Sequence, residues 1–160
     1  AFCDADLDLA PEQLADFIDR MQRENADVVI GSKMHPESKV DYPAIRRVYS
    51  WGYYMLRLIL FRLNVRDTQT GLKLFKAEVI KPVMRQILVK RFAFDIEVLA
   101  IINARGYKII SAPIEVVFHR VSFGRIGFRD IRNMFIDTLA IFYRLHILHY
   151  YDKAATLERS

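Results

Sequence analysis

Phe2-Cys3-Asp4-Ala5-Asp6-Leu7-Asp8 opens the chain, and the rest of the sequence is read outward from it. Three carboxylates stand at alternate positions behind a short apolar lead. Alternate residues of an extended segment point to one side. Asp4, Asp6 and Asp8 can therefore gather around one point where the chain leaves a strand. Hard divalent cations take clustered oxygen ligands, and Mg2+ takes one or two carboxylates together with phosphate oxygens. Pro11-Glu12-Gln13-Leu14 then reads as a helix opening, with Pro in the first turn. Strand, acidic tip and helix, in that order, describe the ligand-binding edge of an open α/β sheet.

Several chemistries share such a run. A solvated turn before a helix is the plainest of them. A calcium EF-hand loop needs Gly at its sixth position and Glu at its twelfth. Counted from Asp4, those positions hold Leu9 and Ala15, which excludes it. A phosphatase of the haloacid-dehalogenase kind also begins Asp-x-Asp, but usually has Thr or Val where this chain has Asp8. The Asp-x-Asp of nucleotide-sugar glycosyltransferases is the third candidate.

Size and composition bound the choice. The 160 residues make one domain or a large part of one, and 52% hydrophobic residues suffice for a core. The net charge of +5 is spread along the chain. It does not call for nucleic acid and suits a face turned to phosphate or anionic lipid. A single cysteine excludes an internal disulfide and suits a reducing compartment. Cys3 itself is expected to pack within an apolar strand. The longest run without Asp, Glu, Lys or Arg is nine residues, Val48 to Leu56, so no membrane-spanning helix is expected. No signal peptide is read at the start. A first residue other than Met, placed almost on the best motif, suggests a truncated start.

Periodicity predicts an amphipathic helix over residues 11–24, with Leu14, Phe17, Ile18 and Met21 on one face. A buried parallel strand over 27–32 follows, then a polar loop to residue 43. A long aromatic helix is expected from Ala44 to Leu63, with Arg46, Ser50, Tyr53 and Arg57 on one stripe that solvation alone would explain. Asp67 to Phe75 passes polar residues and Gly71 into a short strand. Residues 77–88 read as helical, and a second helix runs from Phe94 to a C-cap at Gly106. Two short strands broken at Pro113 are expected over 107–119. Gly124, Arg125 and Gly127 mark a loop. A final helix spans 129–150, with Asp130, Asn133, Asp137 and Arg144 on one face. His146 and His149, three apart on it, suit a surface or interface better than a metal. Walker, Gly-x-Gly-x-x-Gly, His-Glu-x-x-His and Cys-x-x-Cys motifs are absent.

The remaining pieces form an ordered set. It comprises Asp4-Ala5-Asp6-Leu7-Asp8, Val28-Val29-Ile30-Gly31-Ser32-Lys33, Arg46-Arg47-x-x-Ser50, Asp67-x-Gln69-Thr70-Gly71-x-Lys73-x-Phe75, Phe94-Asp95-x-Glu97, and Pro113-Ile114-Glu115-Val116 before Arg120. In this order, over residues 1–145, they resemble family 2 glycosyltransferases, most closely the polyprenyl-phosphate (dolichyl-phosphate) mannosyl- and glucosyltransferases.

The resemblance implies an α/β chain of GT-A type: a Rossmann-like, mostly parallel sheet flanked by helices. Residues 1–128 would form the C-terminal portion of the catalytic domain, and 129–160 an amphipathic helix and tail of the same domain. It implies inverting transfer of a hexose from a nucleotide sugar, GDP-mannose or UDP-glucose, to a lipid-phosphate acceptor. A divalent metal, Mg2+ or Mn2+, would sit at Asp4 and Asp6, with Asp8 beside them. Lys33, Arg46, Ser50, Gln69 and Lys73 would bind substrate. Asp95 occupies the place of the general base, and Arg120 and Arg125 would hold the acceptor phosphate. The family's nucleotide-base half, with its early strand and Pro-x-x-Asn/Tyr-Glu-type loop, would precede residue 1. Many relatives carry Gly-x-Ser-Lys where this chain has Phe123-Gly124-Arg125-Ile126-Gly127. A peripheral position at the cytoplasmic face of a membrane is expected, without nucleic acid. The competing functions are the phosphatase, with Asp95 and Glu97 as its later acidic pair, and a non-catalytic membrane-surface or partner-binding domain using the 44–64 and 129–150 helices.

Overall fold

The computed structural model describes residues 1–3, 11–33, 35–38, 44–63, 65, 67–68, 70–90, 93–115 and 128–152. A 3-10 turn, Pro11–Gln13, leads into α1 (Leu14–Arg23). Then come β1 (Val28–Ser32), α2 (Ala44–Phe61), β2 (Lys73–Phe75), α3 (Ala77–Met84), α4 (Phe94–Ala104), β3 (Ile109–Pro113) and α5 (Phe128–Phe142), which runs into a π-helical turn, Tyr143–Ile147.

The sheet order is β2-β1-β3. β1 lies at the centre of the described strands, and all five of its residues are buried, as a continuous apolar run requires. It pairs parallel with β3, Val28 opposite Ile109 through Ser32 opposite Pro113. It pairs antiparallel with β2, Val28 opposite Phe75. The described sheet is therefore mixed rather than mostly parallel, because β2 turns back between α2 and α3 as a short reversed strand.

Strand alternation divides the core into two layers. Val29, Leu72, Ala112 and Ile114 face α1, where Phe17 is wholly buried and Leu14 and Met21 pack beside it. Val28, Ile30 and Phe75 face the opposite layer, built from α2, α3, α4 and the end of α5. Gly31, on the same face as Val29, leaves room for the α1-side layer: a Cβ there would lie 2.7 Å from Ile114 Cγ2 and 3.3 Å from the Leu72 carbonyl. Ile18, expected on the buried face of α1, is exposed, because Phe17 and its helical neighbours already cover the sheet.

The helix ends have local causes. Asn25 takes a left-handed conformation (φ 47°). The Asn25 and Ala26 N–H groups bond back to the Gln22 and Met21 carbonyls, closing α1. Gly106 (φ 79°) ends α4 the same way, as its sequence position predicts.

Three expectations are corrected, whereas β3 does end at Pro113, where the break was expected, with Pro113 opposite Ser32. A strand end on the sheet's edge does not need the N–H that Pro lacks. Residues 116–119 lie outside the described set. The helix expected over 77–88 stops at Met84, because the Leu88 and Val89 N–H groups donate to the Glu97 carboxylate instead of to helix carbonyls. The helix expected over 129–150 is α5 followed by a π turn, where the Leu148 N–H reaches the Tyr143 carbonyl and His149 (φ 49°) interrupts the chain. Cys3 is exposed rather than packed. Its neighbour Phe2 turns inward onto Phe75 and Phe94, and alternation sends Cys3 the other way.

Candidate active site

Phe2, two residues ahead of the acidic run in sequence, lies beside β2. The Phe2 N–H donates to the Lys73 carbonyl (2.7 Å) and the Lys73 N–H to the Phe2 carbonyl (2.9 Å). The two residues form an antiparallel bridge. The chain thus passes along β2 just before Asp4. Asp4, Asp6 and Asp8 themselves lie outside the described residues, as do Gln69, Arg120 and Arg125. Among the described residues no three His, Cys, Asp or Glu side chains gather to hold a metal ion. The acidic run supplies only carboxylate oxygens, the donor chemistry that suits a hard divalent cation.

Lys73 is the centre of the described site. Leu72 and Leu74 face α1, so alternation turns Lys73 toward α4. Its ammonium donates to Asp95 Oδ1 at 2.9 Å and to the Thr70 carbonyl at 2.6 Å. The Lys73 side chain is only 3% exposed, against 26% for Asp95. Asp95 stands in the first turn of α4. The neighbouring Phe94 ring lies 6.2 Å from that of Phe2, which brings the helix start to the strand edge that Phe2 occupies. The structure therefore joins two of the expected site residues, Lys73 and Asp95, through a charge-assisted hydrogen bond.

The loop leading to β2 is held from beneath. Arg57 of α2, only 2% exposed, donates to Thr68 Oγ1 (2.8 Å) and the Val65 carbonyl (3.4 Å). Its guanidinium lies 5.3 Å from the centre of the Tyr53 ring. Burial lowers the Arg57 pKa from its usual value, opposed by the nearby Tyr53 and Asp67. Burial also raises that of Tyr53, whose hydroxyl pairs with Thr138 of α5. Tyr53 and Arg57 therefore belong to the interior, not to a solvated stripe. Arg46 and Ser50 lie on the same helix, in the part whose side chains are not described. Asp67 accepts from the Lys33 backbone N–H (3.2 Å), which ties the loop to the end of β1. Among the described residues the buried Thr70 hydroxyl has no hydrogen-bond partner.

Behind Asp95, Glu97 is wholly buried. It accepts from the Leu88 N–H (3.0 Å), the Val89 N–H (2.8 Å) and the Tyr151 hydroxyl, with Arg144 Nη1 at 3.7 Å. Burial, followed by the Glu97 carboxylate, pushes the Tyr151 hydroxyl well above the ordinary tyrosine range. Sequence reasoning noticed Glu97 as part of Phe94-Asp95-x-Glu97 but missed this function as a structural hub. It missed Arg57 and Asp67 as loop supports as well. A charged residue in an otherwise apolar helix, Ile96 to Ile102, was the available signal for Glu97. His146 Nε2 lies 3.1 Å from the Leu60 carbonyl and His149 lies 3.6 Å from Asp152, contacts that suit packing rather than a metal.

What the described residues define is an α/β sheet with a Lys–Asp pair beside the strand edge that Phe2 bridges, two residues ahead of the acidic run in sequence. Residues 1–84 match the model of glycosyl transferase family 2, and the chain belongs to that family. It is 32% identical over 135 residues to a dolichyl-phosphate beta-glucosyltransferase of Trichomonas vaginalis, covering 81% of this chain and 41% of that protein. It is 28% identical over 151 residues to a UDP-N-acetylglucosamine–dolichyl-phosphate N-acetylglucosaminyltransferase of Methanococcus voltae, covering 91% of this chain and 56% of that protein. To an undecaprenyl-phosphate mannosyltransferase of Micrococcus luteus it is 29% identical over 116 residues, covering 71% and 47%. The chain thus spans from two fifths to somewhat over half of these relatives. No solved structure matches.

Proposed function

We propose that the protein is an inverting glycosyltransferase that moves a hexose from a nucleotide sugar to a polyprenyl or dolichyl phosphate, working peripherally at the cytoplasmic face of a membrane. The relatives' lipid-phosphate acceptors support this acceptor class, and they differ in the sugar they carry. The observation that carries the proposal is the Lys73–Asp95 pair at the start of α4, next to the strand edge that Phe2 bridges. No helix among the described residues is long and apolar enough to cross a membrane. The chain's single cysteine is compatible with a reducing compartment.

Asp4 and Asp6, with Asp8 adjacent, would hold a divalent cation, which when bound would neutralise charge developing on the leaving diphosphate. Lys33, Arg46, Ser50 and Gln69 would position the donor and acceptor phosphates. Arg120 and Arg125 would present fork-shaped donors to the acceptor phosphate. A phosphate monoester, with a second pKa of about 6, is already anionic near neutral pH. It attacks the anomeric carbon without first losing a proton, as the bond to the nucleoside diphosphate breaks. Asp95 has no proton to accept in that case, and its bond to Lys73 suits a carboxylate that orients rather than one that deprotonates. A sugar hydroxyl acceptor would instead need an unencumbered base.

The test compares Asp95→Asn with Arg120→Ala in the intact protein, both checked for folding, on a short polyprenyl phosphate. Asp95→Asn is expected to keep the higher kcat/KM. A dead Asp95→Asn beside a near-normal Arg120→Ala would point to a hydroxyl acceptor. Asp6→Asn should cost activity by orders of magnitude, and full turnover in EDTA would remove the metal from the proposal.

A further inference from the structure

Lys73 and Asp95 differ in what they offer a ligand. The Lys73 side chain is 3% exposed and that of Asp95 is 26% exposed. The ammonium donates inward, to Asp95 Oδ1 and to the Thr70 carbonyl. A molecule arriving from solvent therefore meets the carboxylate and not the amine. The pair as a whole is neutral, so it exerts no net pull on a phosphate. Its open side consists of acceptor oxygens alone. A carboxylate offers about four lone-pair sites, so the bond from Lys73 does not exhaust it. The ligand group that fits such a surface is a hydrogen-bond donor without charge. Of the molecules in the proposed reaction, the lipid phosphate brings no hydroxyl to its reacting end, whereas a sugar ring carries several.

Asp95 is also held in place. Its carboxylate is fixed by Lys73, and its backbone by the first turn of α4. That turn is pinned in turn by Glu97, which is wholly buried and accepts from the Leu88 and Val89 N–H groups and the Tyr151 hydroxyl. A group so fixed has little freedom left to lose when a ligand binds.

We propose that Asp95 accepts hydrogen bonds from hydroxyls of the hexose on the sugar nucleotide, and that Lys73 positions it without touching substrate. This rests on the transferase proposal and deepens it, because it makes Asp95 a residue that selects the sugar. A site built to bond a hydroxyl rejects the analogue that lacks it, since its own acceptor is then left unpaired. Ribose hydroxyls share this chemistry. They are present in the free nucleoside diphosphate as well, which separates the two sources by experiment.

The experiment is calorimetric titration of the intact protein with UDP-glucose, UDP-N-acetylglucosamine and GDP-mannose, each beside free UDP or GDP. For the sugar nucleotide that binds the wild type, Asp95→Ala is expected to weaken binding by about tenfold or more, the scale of a hydrogen bond to a charged group. Binding of the free diphosphate should not change. Asp95→Asn keeps an acceptor oxygen and should lose less. Lys73→Met leaves the carboxylate in place but unheld, and should show the same selective loss in smaller measure. Among deoxy analogues that each lack one ring hydroxyl, at least one should bind the wild type as weakly as the parent binds Asp95→Ala. Asp95→Ala should not distinguish that analogue from the parent. Circular dichroism and melting establish that each variant folds, and Asp95→Asn carries the test if Asp95→Ala does not. Equal weakening of sugar nucleotide and free diphosphate would overturn the proposal and assign Asp95 to the ribose or the diphosphate. Unchanged binding of both would overturn it as well. Either result leaves the transferase proposal standing. A wild type that binds none of the three sugar nucleotides and transfers none of the sugars would sink the transferase proposal, and this subsite with it.

Discussion

α4 and α5 are both rich in aliphatic residues, and the fold uses them in opposite ways. In α4 every residue from Ile96 to Ile102 is buried, the carboxylate of Glu97 among them. In α5 only Thr138 and Ile141 are buried among the described side chains, and the aliphatic ridge faces outward. The contrast teaches that apolar content alone does not assign a helix to the core. Between Ile96 and Ile102 α4 is apolar on every side but for Glu97, the mark of a helix enclosed on all sides. α5 has enough polar and charged residues to rest one side on the core, yet the half-buried positions include Asn133 and Asp137 while Phe135 and Leu139 stay outside.

Breaking the hub of α4 gives the largest expected effect. Glu97→Ala removes the acceptor of two backbone N–H groups and the Tyr151 hydroxyl, and leaves Arg144 facing a void. A loss of about 3–5 kcal/mol is expected, read by urea denaturation. A loss under 1 kcal/mol would mean that water or another carboxylate replaces it. Leu99→Ala against Leu139→Ala tests the contrast between the helices directly. Leu99 is wholly buried, and its truncation should cost about 2–5 kcal/mol. Leu139 is 41% exposed, and its truncation should stay within about 0.5 kcal/mol. Equal losses would place both helices in the core.

At the start of α4, Lys73→Met leaves Asp95 without its ammonium partner. Because Asp95 is partly exposed and can regain water, the expected loss of stability is about 1–3 kcal/mol. Lys73→Arg should recover part of it. If Lys73 orients Asp95, Lys73→Met should also lower kcat more than it raises KM. The smallest effect is at Asp27, away from both helices. Hydrogen bonds from Lys76 and from the Lys108 backbone hold its carboxyl below the ordinary 3.8. Its stabilisation is therefore present above about pH 4 and lost as the pH falls through the lowered folded value. At neutral pH Asp27→Asn should cost at most about 1 kcal/mol, since the group is partly hydrated. The gap between variant and wild type should close in acid.

Much of this was legible beforehand because its causes are local. Continuous apolarity marked β1, Leu72 and Leu74 around Lys73 marked β2, and Gly106 marked the end of α4. Family membership was legible too, since it rests on spaced side chains in order. The errors occurred where distant groups intervene. α3 ends early because Glu97, thirteen residues beyond Met84, takes the N–H groups of Leu88 and Val89. Tyr53 and Arg57 of the α2 stripe turn inward because α5 offers Tyr53 a hydroxyl and the loop before β2 supplies acceptors for Arg57.

The sequence by itself determined the order of strands and helices, the acidic run behind Phe2 and the family to which the chain belongs. These depend on periodicities of two and 3.6 residues and on motif spacing, all carried within short windows. Only the tertiary structure decided that Lys73 bonds to Asp95, that Glu97 gathers the α3–α4 loop and Tyr151, and that the aliphatic ridge of α5 faces outward. Each of these depends on which surfaces meet once the layers pack, Lys73 with Asp95 across 22 residues of chain and Glu97 with Tyr151 across 54. A side chain's own neighbours in sequence carry no record of that meeting, because burial and charge pairing are properties of the packed layers.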